Sequence, residues 1–339
     1  MASWGAITPQ FVTNTNDTIS CMSWSSDSTR LAFGSWDGTV GIVSISSGKT
    51  EVVWQEKIAG EFILSCAFGT DDRWVAFGGA SGCIHIHAPL EVQAPHLLRF
   101  EAHSGPVSCL GYCAPKKTLV SASWDQKLRY WVSTTPPSFK MTASIGLPER
   151  AYCMDIKKTT CVVALGPTSA THLGVTSSVA VLEVGQGTIL KLMVSPLKYQ
   201  SKSISLFADA QGFLLGSIEG RCAIVHIHES TGDFIFKCHR NFTTQTIYAV
   251  NCIAVHPLGT FATAGGDGIF NYWDKSARIR LKAFPQLAAP ITSACFSPSG
   301  HVFVYATGED WQKGCPITPI QTSLWIQAVG VEIQPKKKP

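Results

Sequence analysis

Three residues have the types that a nucleophilic enzyme uses: His103, Ser121 and Asp125. An imidazole, a hydroxyl and a carboxylate can relay a proton only when the fold sets them in hydrogen-bonding order. Metal chemistry is a second option. His85-x-His87 and His226-x-His228 each place two imidazoles on one face of an extended strand. No third ligand is placed near either pair, and such histidines more often cap the rim of a sheet. Cys109-x3-Cys113 has no matching second pair, which argues against zinc. No glycine-rich phosphate loop opens a helix, and no helix of consequence is visible. The expectation is therefore a protein without cofactor, metal or catalytic activity.

What positions these residues is clearest in residues 250–274, VNCIAVHPLGTFATAGGDGIFNYWD. The run 250–255 alternates apolar and small residues, as a half-buried strand does. His256-Pro257-Leu258-Gly259 interrupts it with turn residues. A second strand spans 261–264. Gly265-Gly266-Asp267-Gly268 supplies the positive-φ positions of a tight hairpin. A third strand, 269–273, closes on Trp273-Asp274. Strand, turn, strand, Gly/Asp hairpin, strand and Trp-Asp make up the signature of a WD-repeat propeller blade.

Seven copies of this unit can be aligned on the first apolar residue of each inner strand: Ile19, Leu64, Val107, Tyr152, Ile204, Val250 and Ile291. Their spacing of 41 to 52 residues suits four-stranded blades. No copy can bury both faces of its sheet alone, whereas a closed ring of copies can, with few bare edges. The expected fold is thus all-β, one seven-bladed propeller over residues 1–339. The second copy lacks the usual hairpin Asp, the fourth has a long hairpin over 166–176 and no Trp-Asp, and the seventh carries an insertion over 309–320. The seventh copy also lacks a fourth strand, so residues 9–13 are expected to supply it and hold the ring shut. A basic tail over 331–339, with Lys336–Lys338, is expected to fray.

Composition agrees. Of 339 residues, 45% are hydrophobic and 15% charged, with 29 glycines and 18 prolines. That supports a large core built from short strands and turns. A net charge of +4 is too weak to mark the whole surface for nucleic acid. The 12 cysteines fall mostly in apolar runs, including Cys21, Cys66, Cys109, Cys252 and Cys295, and read as small buried hydrophobes. No signal peptide and no run of about 18 apolar residues is present, which points to an intracellular protein with reduced thiols.

Within such a blade His103, Ser121, Asp125 and Trp131 fall where WD repeats build a structural hydrogen-bond network. The same reading holds for Asp37 and Asp267.

Four motifs lie outside the generic repeat: GSIEGR (216–221), FKCHR (236–240), IYAVN (247–251) and NYWDKSAR (271–278). Together they resemble a small family that contains the mRNA-export propeller of the nuclear pore and its paralogue, the mitotic-checkpoint propeller of kinetochores. LPERAYCMD (147–155), SPLK (195–198) and DWQKG (310–314) look like the export branch. SWDG (35–38) and the FGG and HIH pieces of the second copy look like the checkpoint branch. The export marks are longer and lie between strands, where the fold does not dictate them, and that branch is preferred.

The resemblance implies a nuclear protein at the pore, partly cytoplasmic. Its partner would be an acidic segment called GLEBS, from a phenylalanine-glycine nucleoporin in the export branch or from checkpoint kinases in the other. Arg221, Lys237 and Arg240, gathered from neighbouring blades, could hold its carboxylates, and Trp36 could stack on an apolar residue. Phe236 and Trp273 with Lys275 and Arg278 interleave aromatics and cations as a contact for single-stranded RNA would.

Overall fold

The structure, a computed structural model, describes residues 15–46, 49–69, 72–88, 97–134, 138–168, 176–312, 314 and 321–336. Period-2 alternation makes each copy an antiparallel meander whose strands pair with their neighbours in sequence. Blade 1 is β1 (Ile19–Trp24), β2 (Arg30–Ser35), β3 (Thr39–Ser46) and β4 (Lys49–Lys57). Blade 2 is β5 (Ile63–Phe68), β6 (Val75–Gly79), β7 (Cys83–His87) and β8 (Leu98–Glu101). Blade 3 is β9 (Cys109–Cys113), β10 (Thr118–Ala122), β11 (Lys127–Ser133) and β12 (Phe139–Gly146). Blade 4 is β13 (Ala151–Lys157), β14 (Thr160–Thr168), β15 (Thr176–Glu183) and β16 (Ile189–Val194). Blade 5 is β17 (Ser201–Leu206), β18 (Gly212–Ser217), β19 (Arg221–His226) and β20 (Phe234–Lys237). A ribbon of β21 (Arg240–Asn241) and β22 (Thr246–Ile247) leads to blade 6, β23 (Val250–Val255), β24 (Phe261–Gly265), β25 (Phe270–Asp274) and β26 (Ile279–Ala283). Blade 7 shows β27 (Ile291–Phe296), β28 (Val302–Thr307) and β29 (Ser323–Ala328).

The inner strands β1, β5, β9, β13, β17, β23 and β27 touch in that order, and β27 returns to β1. The chain is therefore a seven-bladed β-propeller, with no α-helix among the described residues. Its core lies between blades rather than within one. Ile19, Leu31 and Phe33 of blade 1 pack on Val302, Val304 and Ile326 of blade 7. Phe270 and Tyr272 of blade 6 pack on Phe303 and Tyr305 of blade 7. Each such side chain contributes about 2 kcal/mol by leaving water.

A ring of hydrogen bonds runs around the channel. Near the start of six inner strands a polar side chain donates to the backbone carbonyl that opens the next blade: Ser20 to Ile63, Ser65 to Val107, Ser108 to Ala151, Ser203 to Val250, Asn251 to Ile291 and Thr292 to Ile19. The donor–acceptor distances are 2.5, 2.9, 2.8, 2.9, 2.9 and 2.9 Å. Between blades 4 and 5 the Asp155 carboxylate instead accepts the Leu206 N–H at 2.7 Å. Close approach at these seams demands small residues. A Cβ on Gly216 would stand 2.8 Å from a Val250 methyl and 2.5 Å from Ser203 Oγ.

The expected closing strand, residues 9–13, lies outside the described residues, as does the tip of the blade 4 hairpin, 169–175. Blade 1 and blade 7 nevertheless meet through the Thr292 bond and through Thr18 Oγ1 donating to the Glu309 carbonyl at 3.0 Å. The frayed basic tail is corrected as far as Lys336. Val331–Ile333 form a 3-10 turn against blade 6, Ile333 is buried, and the Lys336 N–H donates to Asp274 Oδ2 at 2.9 Å. An apolar Ile333 gives that segment something to bury, which its lysines concealed.

The residues of the apparent triad meet in the same order as an enzyme's, but the hydroxyl is capped by an indole and sealed in the blade. The Trp131 indole N–H donates to Ser121 Oγ at 2.8 Å. An indole nitrogen can only donate, so the serine hydroxyl turns its own proton to His103 Nε2, 2.7 Å away. His103 is thereby neutral at Nε2, and its Nδ1–H donates to Asp125, 3.0 Å away. The hydroxyl is held between two rings and is fully buried, with no room for a substrate. Blade 6 repeats the chain as Trp273, Thr263, His239 and Asp267 at 2.9, 3.0 and 2.9 Å. In blade 1 Asp37 has no histidine. It takes the Thr39 and Asn16 N–H groups at 2.9 and 3.3 Å and the Lys57 ammonium at 3.5 Å. Blade 2, whose hairpin lacks its acid, borrows Glu61 from the preceding turn. That carboxylate takes the Ser81 N–H at 3.0 Å and meets His85 Nε2 at 3.3 Å.

Burial lowers the affinity of His103 and His85 for a proton, despite the opposing Asp125 and Glu61. Burial against Trp54, stacked 3.7 Å away, takes His87 down to about 4. For Asp125, burial pulls upward, but His103 and its hydrogen bonds outweigh it and hold the carboxyl below its usual value.

Two outcomes are expected. Ser121→Ala strands the Trp131 N–H and His103 Nε2 together, so the urea midpoint should fall by the equivalent of about 1–3 kcal/mol with an unchanged slope. Stability should also fall as pH drops below about 6.5, the ordinary histidine value, because the unfolded chain then binds protons that the folded one refuses. His87→Phe, keeping the stack on Trp54, should flatten that fall between pH 6.5 and about 4 in melts taken at each pH. The depressed Asp125 adds a separate loss only below the usual carboxylate range.

Candidate functional site: the top face and the blade 5–6 edge

The hairpins between the second and third strands, and the links from one blade to the next, share one end of the ring, here called the top. The residue before the hairpin acid points away from the blade network. It is Trp36 in blade 1, Trp124 in blade 3, Ile218 in blade 5 and Gly266 in blade 6. Trp36, Trp124 and Ile218 line the mouth of the central channel, a cavity of about 850 Å3. Trp36 lies 6.3 Å from Phe62 between ring centres, and Trp124 lies 6.4 Å from Tyr152. Phe62, Trp124 and Trp311 are 52%, 40% and 46% exposed, an apolar rim for a monomer to leave in water.

Arg221, Lys237 and Arg240 come together around the blade 5 hairpin. Arg221 opens β19 and faces Lys237 of β20 across the ladder. Its Nε is 3.1 Å from Glu219 Oε2, with the side chain 38% exposed. Arg240 donates from Nε to the Gly220 carbonyl at 3.2 Å and from a terminal nitrogen to the Glu219 carbonyl at 2.6 Å. Two of its five N–H groups are thus committed to the backbone, which fixes the guanidinium and leaves the others free. Arg221 pairs within its own hairpin rather than with a neighbouring blade. Trp36 is not part of this group. It stands in blade 1, and the cavity that it lines reaches blade 5 at Ile218.

Phe236, Trp273, Lys275 and Arg278 lie along the edge between blades 5 and 6. Phe236 and Trp273 are 4.7 Å apart between ring centres. Trp273 is also the donor to Thr263, so its ring edge is fixed and only part of its surface is open. Lys275 Nζ sits 4.2 Å over Phe207, and Arg278 sits 4.6 Å over Phe234. A niche beside Trp273 adds Lys237, Arg240 and Arg280. In register Arg280 faces Trp273, a cation that the sequence reading passed over. Phe62, Trp124, Tyr152, Ile218 and Trp311 were passed over as well. Trp124 and Ile218 could have been found by applying to every blade the hairpin position that singled out Trp36.

The histidine pairs do not converge on a metal. His85 meets Glu61, His87 stacks on Trp54, and His226 Nδ1 meets Asp233 at 2.8 Å. Among the described residues no group of three His, Cys, Asp or Glu side chains is placed to hold an ion, and no helix is long and apolar enough to cross a membrane.

Comparison with known proteins places the fold and the family. The model of the WD domain, G-beta repeat, matches residues 8–43, 95–132 and 235–274. The crystal structure of RRP9 WD40 repeats superposes with a TM-score of 0.76 at 18% identity, over 95% of this chain and 97% of that one, a likeness of fold alone. WD40 repeat protein poxJ of Penicillium oxalicum is 36% identical, over 88% of this chain and 86% of its own. The poly(A)+ RNA export protein of Schizosaccharomyces pombe is 34% identical, over 95% of this chain and 91% of its own. Protein Rae1 of Drosophila melanogaster is 35% identical, over 88% and 87%. With identity of this level sustained around the whole ring, the chain belongs to the Rae1/Gle2 family of WD-repeat mRNA export propellers.

Proposed function

We propose that this propeller is a non-enzymatic adaptor for mRNA export. It would bind a GLEBS-type acidic segment of a phenylalanine-glycine nucleoporin across its top face, and so act at the nuclear pore. The observation that carries this reading is the gathering of Arg221, Lys237 and Arg240 around the Glu219–Gly220 hairpin, whose Ile218 lines the channel mouth with Trp36 and Trp124. Carboxylates arriving there meet guanidinium groups already oriented by the backbone, so little side-chain entropy is lost on binding. The Glu219 carboxylate keeps Arg221 in place until a ligand acid competes for it. Apolar residues of the same segment would cover Trp36 and its neighbours. Relatives named for export of mRNA or poly(A)+ RNA support the same direction.

The blade 5–6 edge would serve RNA. Phe236 and Trp273 offer part of their faces for stacking, and Lys275, Arg278 and Arg280 line the path of a phosphate backbone.

Arg221→Glu combined with Arg240→Glu should abolish binding of a GLEBS peptide in calorimetric titration while the melting temperature stays near that of the parent. Each lost contact with a buried carboxylate is worth about 2–5 kcal/mol, and undiminished binding would refute the assignment. For the edge, Lys275→Ala should reduce the salt dependence of single-stranded RNA binding by about one unit of log–log slope. An unchanged slope would remove Lys275 from the contact.

A further inference from the structure

The channel mouth has the opposite charge from the rim that faces blade 6. Although the chain carries a net charge of +4, among the described residues the mouth is lined by the carboxylates Asp17, Glu309 and Asp310 against one ammonium, Lys202. The acids sit together on the blade 7 to blade 1 side. Thr18, next to Asp17, donates its hydroxyl to the Glu309 carbonyl at 3.0 Å, and the Trp36 N–H donates to the Thr18 carbonyl at 3.0 Å. The acidic side is thereby tied to the aromatic wall.

Asp310 is placed with care. Its Oδ2 takes an amide N–H of Asn251 at 3.2 Å, and its Oδ1 takes the Gln312 N–H at 3.2 Å. Blade 6 makes room for it. Where blades 1, 3 and 5 carry Trp36, Trp124 and Ile218, blade 6 has Gly266, and a Cβ there would stand 2.4 Å from Asp310 Oδ2. Asn251 is 8% exposed and lines the cavity; its amide nitrogen serves Ile291 and Asp310, while its carbonyl oxygen, itself buried, has no partner among the described residues. The hydroxyl of Ser201, also at the cavity, has none either. Carboxylates, an unmatched carbonyl and aromatic faces together call for a ligand rich in donors, cationic and flat.

We propose that the channel mouth binds the arginine side chain of a peptide, its guanidinium held by Asp310 and Asn251 and its stem laid along the aromatic wall of Trp36 and Trp311. A guanidinium presents five donors in a plane and stacks on aromatic rings, which an ammonium does less well. The site shares the Trp36 face with the acidic segment proposed above but uses none of its cations, so it does not depend on Arg221, Lys237 or Arg240.

The test is calorimetric titration with acetyl-Gly-Arg-Gly-amide and with its citrulline counterpart, which has the same shape without the charge. The arginine peptide should bind saturably and the citrulline peptide at least tenfold more weakly, with lysine in between. Asp310→Ala should weaken the arginine peptide at least tenfold, and Gly266→Ala, which crowds the carboxylate, should weaken it too. Should Asp310→Ala melt early, Asp310→Asn removes the charge at nearly the same volume. The Arg221→Glu, Arg240→Glu variant should keep arginine binding, so the two sites can fail independently. No saturable binding by the parent, equal binding of arginine and citrulline, or full binding by folded Asp310→Asn would overturn the proposal.

Discussion

A propeller blade cannot stand alone, and the seam between neighbouring blades is what makes this chain a ring. Six times a hydroxyl or amide from one inner strand reaches the carbonyl that opens the next, and the last of these bonds, from Thr292 to Ile19, joins sequence positions far apart. Each is worth only about 1 kcal/mol. Their effect is geometric. They fix the separation of the strand starts at the top of the channel, and every hairpin that lines the mouth hangs from one of those starts. Apolar packing between blades, larger in energy, follows the same spacing, as the clash that a Cβ on Gly216 would make with Val250 shows.

The second constraint acts within each blade. A hairpin acid that captures a histidine or backbone N–H groups pins the top turn to the blade, so the residue before it must face outward. Trp36, Trp124 and Ile218 face the channel mouth because Asp37 and Asp125 take the Thr39 and Lys127 N–H groups of the turn behind them and Glu219 takes the Lys198 N–H of the preceding link. Blade 2 keeps the arrangement with its parts exchanged. Glu61 comes from the turn before the blade and His85 from the third strand, yet acid and imidazole still meet. What is retained is a buried pair between the turn and the sheet, and the residues that supply it can change.

Much of the ring was legible in the sequence because the repeat has a fixed period and its punctuation is chemical: Gly and Asp at hairpins, Trp at the third strand. Strand starts at Ile19, Val250 and Ile291 coincide with the expected anchors, while blades 2 and 4 begin one residue earlier, at Ile63 and Ala151. Blade 3 starts at Cys109 rather than Val107, since the Val107 N–H goes to the Gly79 carbonyl of blade 2 and the Ser108 N–H to the Pro106 carbonyl. Blade 5 starts at Ser201, three residues before Ile204, because its first ladder positions are polar and carried no hydrophobic signal. Glu61 was illegible for a related reason: periodicity cannot show that a turn residue from outside the repeat motif will replace a missing hairpin acid. The cations were legible as charges, but their neighbours were not. Nothing in the spacing places Arg240 on the carbonyls of residues 219 and 220, or Lys275 over Phe207.

The top face also divides its charge. Guanidinium groups cluster outside blade 5, and carboxylates cluster inside the ring between blades 7 and 1. Left to diffuse contacts the two sets would partly neutralise each other, but Arg240 is tied to backbone carbonyls and Asp310 to Asn251 and a backbone N–H. Each charge is thus held where it stands by neutral dipoles. A surface built in this way can meet an acidic and a basic group of the same ligand at two fixed points, so that the direction in which a chain crosses the ring is set by its order of charges.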